Sequence, residues 1–355
     1  MLRIGRLELD SPVVQAALSG YSDLPMRRVA RQLGAAYTLN EVVLDRLVLT
    51  RGRRQRAITR LAPDDHPVGG QLMGSEPEAF ARAADALVDA GYDVVDINFG
   101  CPVRKVLGRC RGGFLLSVPE TALAIVRAVV EAVAGRRPVT LKMRRGMDDS
   151  PASERAFFTI LDGAFEAGIE AVTVHGRTVR QRYVGSSDWG FIARVKRHVG
   201  GRTVLGSGDL FSARDCLRMM EQTGVDGVTA ARGCIGNPWL FRECRELLAG
   251  RPLPPPPTVA EQGEVIARHF AWAAELYGPG KAAAVMRKFG IKYSELHPAG
   301  RQVRDAFIAA RSAADWQAVL AEWYDPARDW PPGIRRSGPG DLVAAGARLD
   351  DAESG

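Results

Sequence analysis

Short β-branched apolar runs alternate with amphipathic stretches along the first two-thirds of the chain. The runs Val13–Ala17, Ala36–Asn40, Val68–Leu72, Val94–Asn98, Val139–Met143, Ala171–His175, Thr203–Gly206 and Gly227–Ala231 read as strands. Helical spacing fills most of the gaps, at Pro77–Ala90, Pro119–Ala134, Glu154–Ala167 and Ala213–Gln222. Eight strands with crossover helices over roughly 240 residues predict an α/β fold, a closed (β/α)8 TIM barrel. The rival, a doubly wound sheet, wants a GxGxxG turn after the first strand, and none stands there.

The pattern changes after residue 250. Pro252 and the run Pro254–Pro257 make a stiff extended linker over 251–258. In Val259–Tyr277, Val265, Ile266, His269, Phe270, Ala273 and Leu276 share one helical face, and Lys281–Leu296 and Val303–Tyr324 read as further helices. The expected organisation is a barrel over 1–250, the linker, a helical bundle over 259–325 and a partly disordered tail over 326–355. No repeat exceeds the βα unit itself.

Composition narrows the class. Of 355 residues, 46% are hydrophobic and 25% charged, which suits a packed core and excludes a disordered chain. No apolar run reaches membrane-spanning length, and Met1–Asp10 lacks the apolar core of a signal peptide, so a cytoplasmic protein is expected. The balance of 48 basic against 41 acidic residues, +7, permits a polyanionic partner. Five cysteines show no CxxC pair and no Cys/His ligand spacing, so neither a disulfide framework nor a metal site is expected. Nothing in them suggests a covalent dimer, and a monomer is expected.

In such a barrel the chemistry sits at the C-terminal ends of the strands. Polar residues recur there: Gln71, then Asp96, Asn98 and Cys101, Lys142, His175 and Arg177, Ser207-Gly208-Asp209, and Arg232. Period-2 alternation puts Thr140, Lys142 and Arg144 on one face and Val139, Leu141 and Met143 on the other. The apolar face should meet the helices, which turns Lys142 into the barrel mouth. A buried ammonium there needs an electron-rich ligand or an internal partner such as Asp96. The Gly-rich segments after the seventh and eighth strands, with Arg232, suit the phosphate of a cofactor. Cys101, in Gly-Cys-Pro, is presented on a loop over the mouth, where an ordinary thiol near pKa 8.5 is protonated and able to donate. Cys110, Cys216, Cys234 and Cys244 read as small buried hydrophobes, and Trp189 and Trp239 as packing residues.

Together, Asp96-Ile-Asn-Phe-Gly-Cys-Pro102, Val139-Thr-Leu-Lys-Met-Arg144, Val174-His-Gly-Arg-Thr178 and Gly236-Asn-Pro-Trp-Leu-Phe241 resemble the tRNA-dihydrouridine synthases. Gln71-Leu-Met-Gly-Ser-Glu-Pro-Glu78 and Gly112-Gly-Phe-Leu-Leu116 agree, and Leu296-His-Pro298 is similar to the bacterial B subgroup. The likeness spans Ile4 to about Tyr324. It implies an FMN enzyme, reduced by NADPH, that passes hydride from flavin N5 to uracil C6 in tRNA. By motif match, the resemblance makes Cys101 the acid that protonates C5. It places Ala17, Leu18, Ser19, Gln71, Lys142, His175, Ser207, Gly208, Asp209, Ala231 and Arg232 at the flavin, and Asn98 beside flavin and uracil. His175, at a strand end, is expected to donate to a ligand, and Arg177 beside it to bind substrate. The C-terminal helices of the family help grip tRNA, which puts Lys281, Arg287, Lys288 and Lys292 on the RNA. Three segments depart from the usual pattern: Ala17-Leu18-Ser19 for Pro-Met-Ala, Ser207 for Asn, and Ala231 for Gly. The alternatives are a flavin barrel acting on a free pyrimidine and a non-catalytic tRNA-binding relative.

Overall fold

A computed structural model describes residues 1–50 and 52–338, except the side chain of Arg54. The chain opens on an antiparallel hairpin, β1 (Leu2–Ile4) and β2 (Leu7–Leu9), turned at Gly5 with φ +56°. Nine parallel strands follow: β3 (Val13–Gln15), β4 (Thr38–Leu39), β5 (Val43–Leu44), β6 (Val68–Met73), β7 (Val94–Phe99), β8 (Val139–Arg144), β9 (Ala171–His175), β10 (Thr203–Ser207) and β11 (Gly227–Ala230). Each of β6 to β11 pairs with the next, β11 pairs with β3, β3 with β4, and β4 with β6, which closes an eight-stranded barrel. The two-residue β5 lies outside that ring, on the C-terminal end of β6 through Val43 opposite Leu72.

The helices are α1 (Leu24–Gln32), α2 (Asp45–Leu49), α3 (Arg53–Ile58), α4 (Pro77–Asp89), α5 (Arg104–Leu107), α6 (Pro119–Val133), α7 (Pro151–Ala167), α8 (Trp189–Val199), α9 (Ala213–Thr223) and α10 (Leu240–Leu248). Their starts are written locally. Asp23, Ser150, Asp188 and Ser212 cap α1, α7, α8 and α9 through their side chains, and proline opens α4, α6 and α7.

Two separate cores result. The larger fills the space between strands and helices and continues into the C-terminal helices. The smaller lies inside the barrel, where Leu2, Ile4 and Leu9 of the hairpin meet Val14, Val94, Ala171 and Leu205. The sequence pattern gave no warning of this hairpin, because three-residue strands carry too little periodicity. Burying its three side chains is worth about 2 kcal/mol each, and it stops the N-terminal end of the barrel. The opposite end stays open.

Past the proline linker come α11 (Val259–Tyr277), α12 (Pro279–Tyr293), α13 (Gly300–Ala309) and α14 (Ala313–Trp323). The single helix expected over Val303–Tyr324 is two. A capping box explains the break: Ser312 and Asp315 form it and start α14 afresh, leaving Ala310 extended. The bundle sits on α1, where Tyr277 Oη donates to Asp23 Oδ2 at 2.8 Å. Of the expected disordered tail, residues 326–338 are laid against the protein, with Trp330 packed on His297, while 339–355 lie outside the described residues. No described helix is long and apolar enough to cross a membrane.

Candidate active site

The open end of the barrel holds a cavity of about 310 Å³, within the size range of small-molecule sites. Its walls are the loops after β3, β7, β9, β10 and β11. All eleven residues expected at the cofactor line it, as do Asn98 and Cys101.

A hydrogen-bond relay across three neighbouring strands fixes the cysteine loop. Asp96 and Thr140 are register partners on β7 and β8, and Thr140 Oγ1 donates to Asp96 Oδ1 at 2.5 Å. Gln71, the register partner of Asp96 on β6, donates to its Oδ2 at 2.6 Å. Asn98, two residues on and therefore also inward, donates to Gln71 Oε1 at 2.6 Å. Its own Oδ1 accepts the Gly100 and Cys101 amides at 2.9 and 3.1 Å. The relay runs from the barrel interior to the backbone of Cys101. Gly112 (φ +57°) completes the loop seat, since a Cβ there would fall 2.8 Å from Cys101 Cβ. Burial pushes the Cys101 thiol above its usual pKa, against a smaller opposing pull from backbone hydrogen bonding and Arg144. The thiol is therefore protonated at neutral pH.

Lys142 is the register partner of Asn98 and faces the same cavity. Of the two alternatives for Lys142, the ion pair with Asp96 does not form: among the described residues the ammonium has no hydrogen-bond or salt-bridge partner, and Asp96 is occupied by Thr140 and Gln71. Burial, and then Arg144, pull its pKa down to about 8. His175 is driven further, well below its ordinary value, by burial and by Lys142, Arg144, Arg177 and Arg232. It is neutral, and its Nδ1 accepts the Arg177 amide at 3.1 Å. The ring proton is therefore on Nε2, a donor.

The loop after β10 turns at Gly208 (φ +115°) and Asp209 (φ +58°). Trp189 Nε1 holds the Gly208 carbonyl at 3.2 Å, a positioning role beyond the packing expected of it. Arg232 lines the same end, its guanidinium 4.9 Å from the Tyr183 ring and 5.2 Å from that of Phe211. Cys216, Cys234 and Cys244 are buried, but Cys110 is exposed, against expectation, on a left-handed turn.

Five further residues expected to contact ligand lie outside the cavity lining, and four of them have polar partners within the protein. Arg177 is 4% exposed and does not line the cavity; it holds Asp209 at 2.7 and 2.8 Å and the Gly185 carbonyl, tying two loops together. Lys288 donates to Gly20 O and lies 5.0 Å from the Tyr21 ring, bracing the loop after β3. Lys292 pairs with Glu295 at 2.8 Å, and Arg287 reaches Ala310 O. Lys281 sits 5.5 Å from the Tyr277 ring and alone of the four remains exposed. Helical spacing groups these side chains on the sequence; the structure adds the partner each has within the protein.

Comparison with known proteins fits this geometry. The family model described as dihydrouridine synthase matches residues 14–324. The chain belongs to the dihydrouridine synthase family. A Mycobacterium tuberculosis protein named "Probable tRNA-dihydrouridine synthase" is 38% identical over 331 residues, 90% of this chain and 84% of that protein. One of the same name from Rickettsia prowazekii is 33% identical over 326 residues, 91% of this chain and 98% of its own length. Among solved structures, 6-hydroxypseudooxynicotine amine oxidase from Pseudomonas geniculata superposes with a TM-score of 0.56 at 14% identity, over 98% of this chain and 69% of that one. Histamine dehydrogenase from Rhizobium sp. 4-9 gives 0.54 at 13% identity, over 76% and 50%. These two share the fold.

Two residues of this synthase-family site escaped the sequence reading. Arg144 follows Lys142 inward, donates to Gly100 O at 2.9 Å and to Thr178 O at 3.0 Å, and so holds the cysteine loop from the other side. Alternation along β8 already placed it there. Tyr183, 53% exposed, stands at the mouth between Arg144 and Arg232, 5.5 and 4.9 Å from its ring. Only an exposed aromatic in a polar loop hinted at it. Among the described residues no cluster of His, Cys, Asp and Glu is built to hold a metal.

Proposed function

We propose that this chain reduces uridines of tRNA to 5,6-dihydrouridine, with FMN held in the barrel mouth and NADPH as the reductant. Membership of the family and one observation carry the reading: a protonated thiol, Cys101, and an unpaired buried ammonium, Lys142, line the same cavity.

The residues suit FMN. Lys142 is a cation left without a counter-ion, as a site for an anionic reduced ring requires. His175 offers Nε2–H as a neutral donor. Arg232 and the loop Ser207-Gly208 form a cationic, small-residue end for a phosphate. The three departures from the family pattern change side chains in segments whose contacts to a ligand can run through backbone, so Ala17, Leu18 and Ala231 keep their amides. When bound, FMN supplies the hydride to uracil C6.

The protein supplies the proton and the setting. Cys101 delivers its proton to C5, and its raised pKa keeps that proton available at neutral pH. Asn98 fixes the Cys101 amide, so thiol placement depends on the relay and not on the loop alone. The mouth must take a base out of its stack, as enzymes acting on bases in nucleic acid do.

The test is position-mapped dihydrouridine in unmodified tRNA after incubation with protein, FMN and NADPH, beside Cys101→Ala. New dihydrouridine at a defined position, lost in the variant, supports the reading. Bound flavin with no product, or equal turnover of free uridine, overturns it.

A further inference from the structure

The family match ends at residue 324, yet the chain beyond α14 returns to the barrel. Residues 325–338 form a strap. Trp330 lies 4.8 Å from the His297 ring, and the Ile334 amide donates to Leu296 O at 2.8 Å. Gly333 passes so close to the linker that a Cβ would sit 2.1 Å from Pro257 O. Adjacent residues of an extended segment face opposite ways. Arg335 pairs with Glu243 of α10 and donates to Pro254 O. Arg336 turns to the other side, pairs with Glu295, and donates through Nη1 to the carbonyls of Arg232 and Gly233 at 3.3 and 3.2 Å.

Arg232 and Gly233 line the cavity on their other side. Their turn is pinched: a Cβ on Gly233 would lie 2.0 Å from Leu210 O, so the loop after β10 presses from the front and Arg336 holds from behind. The Arg232 side chain itself is lightly held, 41% exposed, with Asp209 3.6 Å away.

We propose that Arg336 is a positioning residue for the phosphate end of the cofactor site. It fixes the Arg232–Gly233 turn, and so the guanidinium and backbone that a cofactor phosphate meets. This rests on the reading that FMN binds with its phosphate at that turn. The strap thereby gives a segment outside the matched region a part in flavin affinity.

Flavin binding distinguishes this from a merely structural role. Dissociation constants for FMN and for riboflavin, which lacks the phosphate, are measured by flavin fluorescence on the full chain. In Arg336→Met, FMN is expected to weaken on the order of tenfold, the loss of charged hydrogen bonds to the turn, while riboflavin is unchanged. Arg335→Met is the control on the same strap: it lowers melting temperature but keeps the ratio of the two constants. An unchanged ratio in Arg336→Met, or equal weakening of both flavins, overturns the proposal. Wild-type protein that binds both flavins equally removes the phosphate reading itself, and the proposal with it.

Discussion

Cys101 and Lys142 titrate in opposite directions, and each shift has a measurable consequence. The thiol is pushed up by burial, so uridine reduction should fall as pH rises through its raised pKa, when the proton to be given is lost. Cys101→Ala should retain flavin and lose uridine reduction by about 10² to 10⁴, the usual worth of a positioned general acid; single-turnover oxidation of the reduced enzyme by tRNA reads this. Lys142 is pulled down to about 8. Between that value and its ordinary pKa the unfolded chain binds the proton and the folded chain does not, so stability of the flavin-free protein rises with pH across that window. Lys142→Met should therefore raise the melting temperature of flavin-free protein below pH 8, with the gain shrinking as pH rises toward the ordinary lysine range. A gain independent of pH would mean that Lys142 is not carrying an unpaired charge.

Individual elements depend on a few buried polar ties. Arg27 of α1 and Asp65 are both wholly buried, with Nη2 2.5 Å from Oδ2, and Nη1 also reaches Asn40 at 2.7 Å. The pair joins α1 to the segment entering β6. Arg27→Met leaves Asp65 charged and uncompensated, and should cost about 3–5 kcal/mol in urea unfolding. A cost below 1 kcal/mol, the range of surface pairs, would contradict the burial. The same logic explains why α14 starts where it does. A capping box satisfies its first amides locally, whereas apolar periodicity continues across the break and hides it.

Exposed cations also stand on the rim of the barrel mouth, apart from those of the helical bundle. Arg53 and Arg56 of α3, and Arg104, Lys105 and Arg109 at and after α5, are exposed, and their side chains have no hydrogen bond or ion pair to another described residue. Arg109 does share a surface cleft with Glu76 and Glu120. These cations follow β5 and β7 on the rim that carries Cys101. A phosphate backbone crossing this rim predicts that Arg104→Gln with Lys105→Gln raises the KM for tRNA without changing kcat. It should also reduce the slope of log affinity against log salt by about 2. An unchanged slope would move the RNA off this side of the mouth.

What the sequence alone determined was whatever one element writes by itself. Strand spans, the inward turn of Lys142 and the loop position of Cys101 follow from alternation and from Gly-Cys-Pro, and the order of the strand ends gathers them at one mouth. Arg177, Lys288 and Lys292 show where this stops. The family resemblance marks them as ligand contacts, and only the structure shows the partners that hold each charge, Asp209, Gly20 and Glu295. The hairpin that stops the barrel and the strap that reaches Arg232 were likewise invisible. Each is too short to carry a period, and is ordered only by surfaces that exist once the rest has folded. Local pattern sets elements because it acts through neighbouring residues; pairing, burial and the fate of each charge belong to the tertiary structure, where distant residues meet.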